Sequence, residues 1–339
     1  MTRDAWRNQV GEDAIEPALP IIDAHHHVWE NEPFPPFDPY DENGLFADKT
    51  ASGHRIIGTI YVDSHTSYRT TGPDHLRVVG ETDYAERVAQ VGMGRGGAFA
   101  GVCCAIAPRA DLTLGARVGE VLDAHAQASS RFRGVRHMTA HDGDVPASAA
   151  TGAGVMMHSA FREGFAELGR RGLSFDAWLL QPQLPEVIDL ARHFPDTPII
   201  LNHLGGPLAI GRFADRRDEA YASWRADMAT LATCENVRVK LGGLNMGMAG
   251  VDALARDVPF TSQEMAAAQK HFILTAIDLF GPARAMFESN TPIDTYGAGY
   301  GVIWNAFKRI TADFTPNERA LLFCGTATKT YRIDPTQLQ

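Results

Sequence analysis

The stretch Ile21-Ile22-Asp23-Ala24-His25-His26-His27-Val28-Trp29 decides how the chain is read. Two apolar residues run into an acid and then into three histidines. In an extended strand alternate side chains share a face, which predicts Asp23, His25 and His27 on one side and Ala24, His26 and Val28 on the other. Two imidazoles one residue apart at a strand end can bind one divalent cation or polarise one carbonyl oxygen. A His-x-His pair alone is a weak signal. Its weight here comes from the short apolar strand before it and the alternation of strands and helices behind it.

Working outward, residues 1–18 read as a loose arm and residues 19–335 as one domain. Short apolar runs predict strands at 20–24, Ile56–Val62, Phe99–Ile106, Phe132–His137, Ser174–Leu179, Pro198–Leu201, Val237–Leu241 and Arg284–Glu288. Helical periodicity fills the intervals, for example Asp74–Gly92, Leu112–Gln127, Ser159–Arg171, Leu184–Phe194, Asp218–Thr233, Ser262–Phe280 and Tyr300–Ile310. Eight such units predict an α/β fold of one domain, a closed (β/α)8 TIM barrel. An open doubly wound sheet would usually carry a Gly-rich phosphate turn after its first strand, where this chain has histidines. Glu30–His54 reads as a long loop with a short helix near its end, and its Phe34 and Phe37 as lid aromatics over the barrel mouth.

Composition narrows the function. The chain has 339 residues, a formal charge of -10 and no basic block, which argues against nucleic acid or an anionic membrane as partner. The four cysteines show no metal-ligand spacing and read as reduced thiols of a cytoplasmic protein. Neither a signal peptide nor a membrane span is expected. The expected partner is a small-molecule substrate, with a homo-oligomer left open.

In such barrels chemistry gathers where strands run out into the following loops. Those ends supply His25 and His27, Asp63 and His65, Arg136 and His137, Asp176 and Trp178, Asn202 and His203, Lys240, and finally Glu288, Asn290 and Asp294. Arg136 is read either as a clamp for a substrate carboxylate or as a structural salt bridge. His65, Asp176 and Tyr296 are candidate substrate contacts, with ordinary core or rim roles as the alternative. His26 should be a packed histidine, and Trp304 should be core.

Four motifs then occur in order: the His25-x-His27 pair, His203-Leu204-Gly205-Gly206-Pro207, Asn236 to Leu244 (Asn-Val-Arg-Val-Lys-Leu-Gly-Gly-Leu) and Met286-Phe287-Glu288-Ser289-Asn290-Thr291-Pro292. Together they resemble the amidohydrolase-related (amidohydrolase 2) branch of the amidohydrolase superfamily, over roughly residues 20–333. That branch holds lactonases and some decarboxylases. The resemblance implies a divalent metal, zinc or manganese, on His25, His27 and His203, although some lactonases of the branch work without one. Asn290 stands where most of the family has an aspartate that ligates metal and moves the proton. An amide cannot accept a proton at ordinary pH. Glu288, two residues earlier, would then be a displaced base or metal ligand, or else an ion-pair partner of Lys240 or of an arginine on a neighbouring strand. Asp294 is a second candidate base, with a solvated loop acid as the alternative. The reading is a hydrolase that opens a lactone, or cleaves a small ester or amide. A decarboxylase is the second reading, and a barrel that lost catalysis and only binds is the third.

Overall fold

The computed structural model describes residues 3–30, 38–145, 152–251, 253 and 255–338. Strands β1 (Ile21–His26), β2 (Ile56–Val62) and β3 (Ala105–Ala107) pair in parallel, as do β4 (Gly134–Met138), β5 (Ser174–Trp178), β6 (Ile199–Leu201), β7 (Val237–Leu241) and β8 (Ala285–Phe287). Single bridges join the two groups. Ile106 meets Phe132 and Arg109 meets Arg136 between β3 and β4, while His26 meets Thr291 beyond β8. The amides of His27 and Asn290 close that last seam, donating to Thr291 O at 2.8 Å and to His25 O at 3.0 Å. Outside the strands lie α1 (Glu42–Ala51), α2 (Val79–Arg95), α3 (Val118–Ala128), α4 (Ser159–Arg170), α5 (Leu184–His193), α6 (Arg217–Ala232), α7 (Ser262–Phe280) and α8 (Tyr300–Ile310). The alternation read from the sequence is therefore a (β/α)8 barrel. Residues 31–37 lie outside the described residues, and the reading of Phe34 and Phe37 as lid aromatics lies there with them, while the later part of that loop carries α1.

Two apolar layers hold the barrel. The layer between strands and helices contains Phe161, Phe165, Phe175, Trp224 and Trp304, all wholly buried. Inside the barrel, Ile22, Ala24, Ile60, Ile200 and Met286 pack against Ala327, Tyr331 and Ile333 of the C-terminal segment, which plugs the floor. The N-terminal segment is tied to the last helices: Ile15 N donates to Asn305 Oδ1 at 2.8 Å, and Lys308 Nζ donates to Ile15 O at 2.7 Å. Among the described residues no helix is long and apolar enough to cross a membrane.

Three strand readings need correction. The third strand was expected from Phe99, yet only Ala105–Ala107 pairs. Its first part turns tightly past β2, where a Cβ on Gly101 would overlap the Ile57 carbonyl and Cys103 takes φ +50°. The eighth strand stops at Phe287, and Asn290 has φ +50°, so strand alternation does not carry from Glu288 to Asn290. In the first strand, pairing with β2 slips between Asp23 and His26. Asp23 consequently leaves the histidine face and binds Ser289 and Tyr300.

Asp176 takes the core alternative. It is wholly buried, and its Oδ1 accepts from Lys240 Nζ at 2.6 Å, Tyr331 OH at 2.8 Å and Asn202 Nδ2 at 2.9 Å. It is a charge locked in the barrel, not a contact free for substrate. Removing the cation alone would strand this carboxylate. Lys240→Ala should therefore cost about 3–5 kcal/mol of stability, measured by urea denaturation. A loss below about 1 kcal/mol would show that the two neutral donors suffice.

Candidate active site

His25 and His27 leave the end of β1 with ring centroids 4.8 Å apart and Nε2 atoms 3.2 Å apart. His27 Nδ1 lies 2.9 Å from Val62 O. A carbonyl only accepts, so that nitrogen carries the proton and the lone pair is on Nε2. Burial, then the cations Lys240 (beside His25) and Arg136 (beside both), hold the two imidazoles well below the usual histidine pKa. Both rings are neutral, as metal ligands must be. His26 faces the other way, as expected, with Nε2 3.5 Å from Cys103 Sγ.

His203 joins them from the end of β6, its ring 4.6 Å from that of His25 and edge-on to Trp178 at 4.7 Å. His203 and Leu204 have φ of +52° and +57°, a region that costs side-chain-bearing residues roughly 1–2 kcal/mol each. Glu288 holds His203 there. Its Oε1 accepts from His203 N at 3.0 Å and from His203 Nδ1 at 2.7 Å. That second bond puts the ring proton on Nδ1 and frees Nε2, the arrangement by which carboxylates orient metal-binding histidines. Glu288 Oε2 lies 3.0 Å from His25 Nδ1 but at an angle that makes no hydrogen bond, so a buried carboxylate oxygen is left without one. Glu288 does not pair with Lys240, which is taken by Asp176. Gly242 and Gly243 follow β7 because nothing larger fits. A Cβ on the first would strike Glu288, and one on the second would fall on the His203 ring.

Arg136 reaches the same centre, with Nη1 3.5 Å from His25 Nε2. It is spent as a salt bridge, not available as a clamp. Nε lies 3.4 Å from Asp63 Oδ2, and Nη2 donates to the Asp63 carbonyl. His65 caps this pair at the rim, Nε2 3.3 Å from Asp63 Oδ2. His137, by contrast, points outward, where Nδ1 accepts from Leu112 N at 3.1 Å.

Asp294 is not a solvated loop acid. It is 2% exposed, accepts from Asn290 Nδ2 at 2.8 Å and from Asn245 N at 3.2 Å, and burial pushes its pKa up to about 7. Tyr296 sits elsewhere. Its hydroxyl accepts from Asp38 N at 2.9 Å, and it lines a cavity of about 960 Å³ between the N-terminal segment, α1 and α8. This cavity does not contain the histidines, and their chemistry, not its size, locates the site.

The Amidohydrolase family pattern matches residues 22–333. The chain belongs to the amidohydrolase family. It is 33% identical over 331 residues to an uncharacterized protein, y4mH, of Sinorhizobium fredii, covering 93% of this chain and 99% of that one. An L-fucono-1,5-lactonase of Burkholderia multivorans is 30% identical over 206 residues, 60% of this chain and 64% of the relative. Among solved structures, an amidohydrolase from Burkholderia multivorans with bound zinc superposes with TM-score 0.70 at 23% identity, over 93% of this chain and 99% of that one. The 5-carboxyvanillate decarboxylase of Sphingomonas paucimobilis gives 0.59 at 13%, over 93% of this chain and 100% of that one. These likenesses to structures concern the fold.

Two residues of this amidohydrolase escaped the sequence reading. Arg109 follows β3, the one strand whose end was not searched. Glu81 lies on α2 and is wholly buried, with Oε1 accepting from Ser64 N at 2.7 Å and Tyr61 OH at 3.0 Å. Its signal was a lone acid in helical phase with Ala85 and Val88. Burial, then the neighbouring Asp63 charge, raises its pKa well above the carboxylate range. A raised pKa favours the fold below the unfolded pKa, and that gain is lost as pH rises through the folded value. Glu81→Gln removes the loss. Its melting temperature relative to wild type should climb from acidic to alkaline buffer, and a constant difference would refute a neutral Glu81.

Proposed function

We propose that this amidohydrolase opens a lactone by attack of water on the ring carbonyl. The observation that carries the reading is Asp294: a buried acid with pKa about 7, held by the amide of Asn290 where the chain leaves β8. A base poised near the working pH is what water activation needs. Asp294 takes a proton from water as the oxygen bonds to the carbonyl carbon. The carbonyl π pair moves onto oxygen, where the histidine cluster stabilises the developing charge. Collapse breaks the bond to the ring oxygen, which receives the proton back from Asp294. The product is one hydroxy acid, with no leaving fragment.

The donor set fits a divalent cation. The Nε2 atoms of His25 and His27 are 3.2 Å apart, close to the spacing of two nitrogens each about 2.0–2.1 Å from one zinc. His203 Nε2 is freed by Glu288, whose Oε2 lacks a hydrogen bond. Among the described residues, His25, His203 and Glu288 bring ligand atoms within 4.8 Å of one another and would hold the ion, with His27 beside His25, while Glu288 Oε1 would orient His203. Bound there, zinc or manganese would supply Lewis-acid polarisation of the carbonyl. Decarboxylation is the second reading. It is favoured by the amide at Asn290, which cannot take a proton, and weakened by the buried acid Asp294, whose raised pKa suits proton transfer.

Two measurements test the proposal. With a panel of lactones, kcat should rise with pH through about 7, the value for Asp294. Asp294→Asn should lower kcat by about 10²–10⁴-fold and remove that rise. Glu288→Gln should lower kcat yet keep it, because Glu288 acts through His203. A pH limb that survives in Asp294→Asn would move the base to Glu288. Elemental analysis of the purified protein should find one divalent ion per chain, lost in His203→Ala. A full complement of metal in that variant would remove His203 from the ligand set.

A further inference from the structure

The ends of β2, β3 and β4 place two guanidiniums near one ionised acid. Asp63 is wholly buried, and its charge is held by His65 and Arg136, which keep its pKa far below the carboxylate range. Glu81 behind it is kept neutral by the opposite shift. Asp63 occupies Arg136, and pulling that arginine away would strand a buried charge.

Arg109 is different. It is half-buried at the rim, beside Arg136 across the β3–β4 bridge, and its Nη1 lies 3.0 Å from His65 Nε2. Among the described residues no carboxylate is in ion-pair contact with it. Its partner can release it without loss, because His65 Nε2 also lies 3.3 Å from Asp63 Oδ2. Freed from Arg109, the imidazole takes its other tautomer and donates to that carboxylate. A chain with net charge -10 thus carries a surplus positive charge at the mouth of its site.

We propose that Arg109 anchors the substrate by a carboxylate, so that the ring opened by this site belongs to an acid lactone and not to a neutral sugar lactone. This rests on the lactonase reading and departs from the neutral substrate named for the Burkholderia relative. The lactone carbonyl faces the histidines, and the carboxylate lies towards the β2–β4 rim, where Arg109 replaces its bond to His65 with a charge-assisted pair.

The test uses D-glucaro-1,4-lactone and D-glucono-1,4-lactone, which share a ring and differ by a carboxylate against a hydroxymethyl group. Binding of the open diacids glucarate and glutarate is measured alongside by calorimetry. Wild type should favour the glucarolactone. Arg109→Met should raise its KM about 10–100-fold, the loss expected for one charged hydrogen bond, with kcat changed far less. The preference over gluconolactone should collapse towards one, diacid binding should weaken by the same factor, and Arg109→Lys should recover part of both. If neither lactone is opened but diacid binding still falls in Arg109→Met, the anchor stands and the lactonase reading falls. If both lactones are opened and Arg109→Met shifts them equally, the anchor falls and the lactonase reading stands. Wild-type protein that binds neither diacid overturns the anchor outright.

Discussion

The contact on which the site depends is the double hydrogen bond from His203 to the Glu288 carboxylate, 3.0 Å from the amide and 2.7 Å from the ring. A carboxylate wholly removed from water must be given donors. Here one residue gives two, and to do so it adopts a left-handed backbone. That geometry in turn forbids side chains on Gly242 and Gly243. It also fixes which His203 nitrogen is free to work. Glycines after β7, a strained histidine after β6 and an acid after β8 are thus one device. It explains why three separated motifs of the sequence travel together.

Around this device the barrel sorts its charges. Lys240 belongs to Asp176, and Arg136 belongs to Asp63. These two cations beside the histidines each have an acid, because an unmatched charge there would leave a buried ion uncompensated. The sorting has a functional result. Cations surround His25 without being available to bind substrate, and burial together with their field keeps its imidazole neutral. At the rim, Arg109 has no carboxylate in ion-pair contact among the described residues.

Much of this was legible in the sequence, and what was missed has physical causes. The barrel could be read because strand and helix alternate and each strand is a short apolar run. The convergence of His25, His27 and His203 followed from their place at strand ends. Asp176 stayed open between substrate contact and core because strand alternation says which way a side chain points, not how deep it lies. Asp23 was misplaced because a slip in pairing is invisible to a strict two-residue period. Arg136 was recognised as half clamp, half salt bridge. Only the position of Asp63, set by a different strand, decides between them. Glu81 was lost inside a helix, where a buried acid looks like a solvated one until its neighbours are known.

Asn290 gains a reason from the same electrostatics. With Glu288 already buried beside the histidines, an aspartate at 290 would set a second carboxylate close to the first. In a dry site like charges raise each other's pKa, and one of the two would stay protonated. The chain instead has an amide at 290 and an acid four residues on, at Asp294. The amide donates to that acid at 2.8 Å, which favours its charged form. Burial and the Glu288 charge oppose it, and the balance falls at about 7. The familiar aspartate is therefore not simply missing. In the proposed lactonase its two duties are divided: Glu288 aligns His203, and Asp294, steadied by Asn290, is the group proposed to exchange a proton.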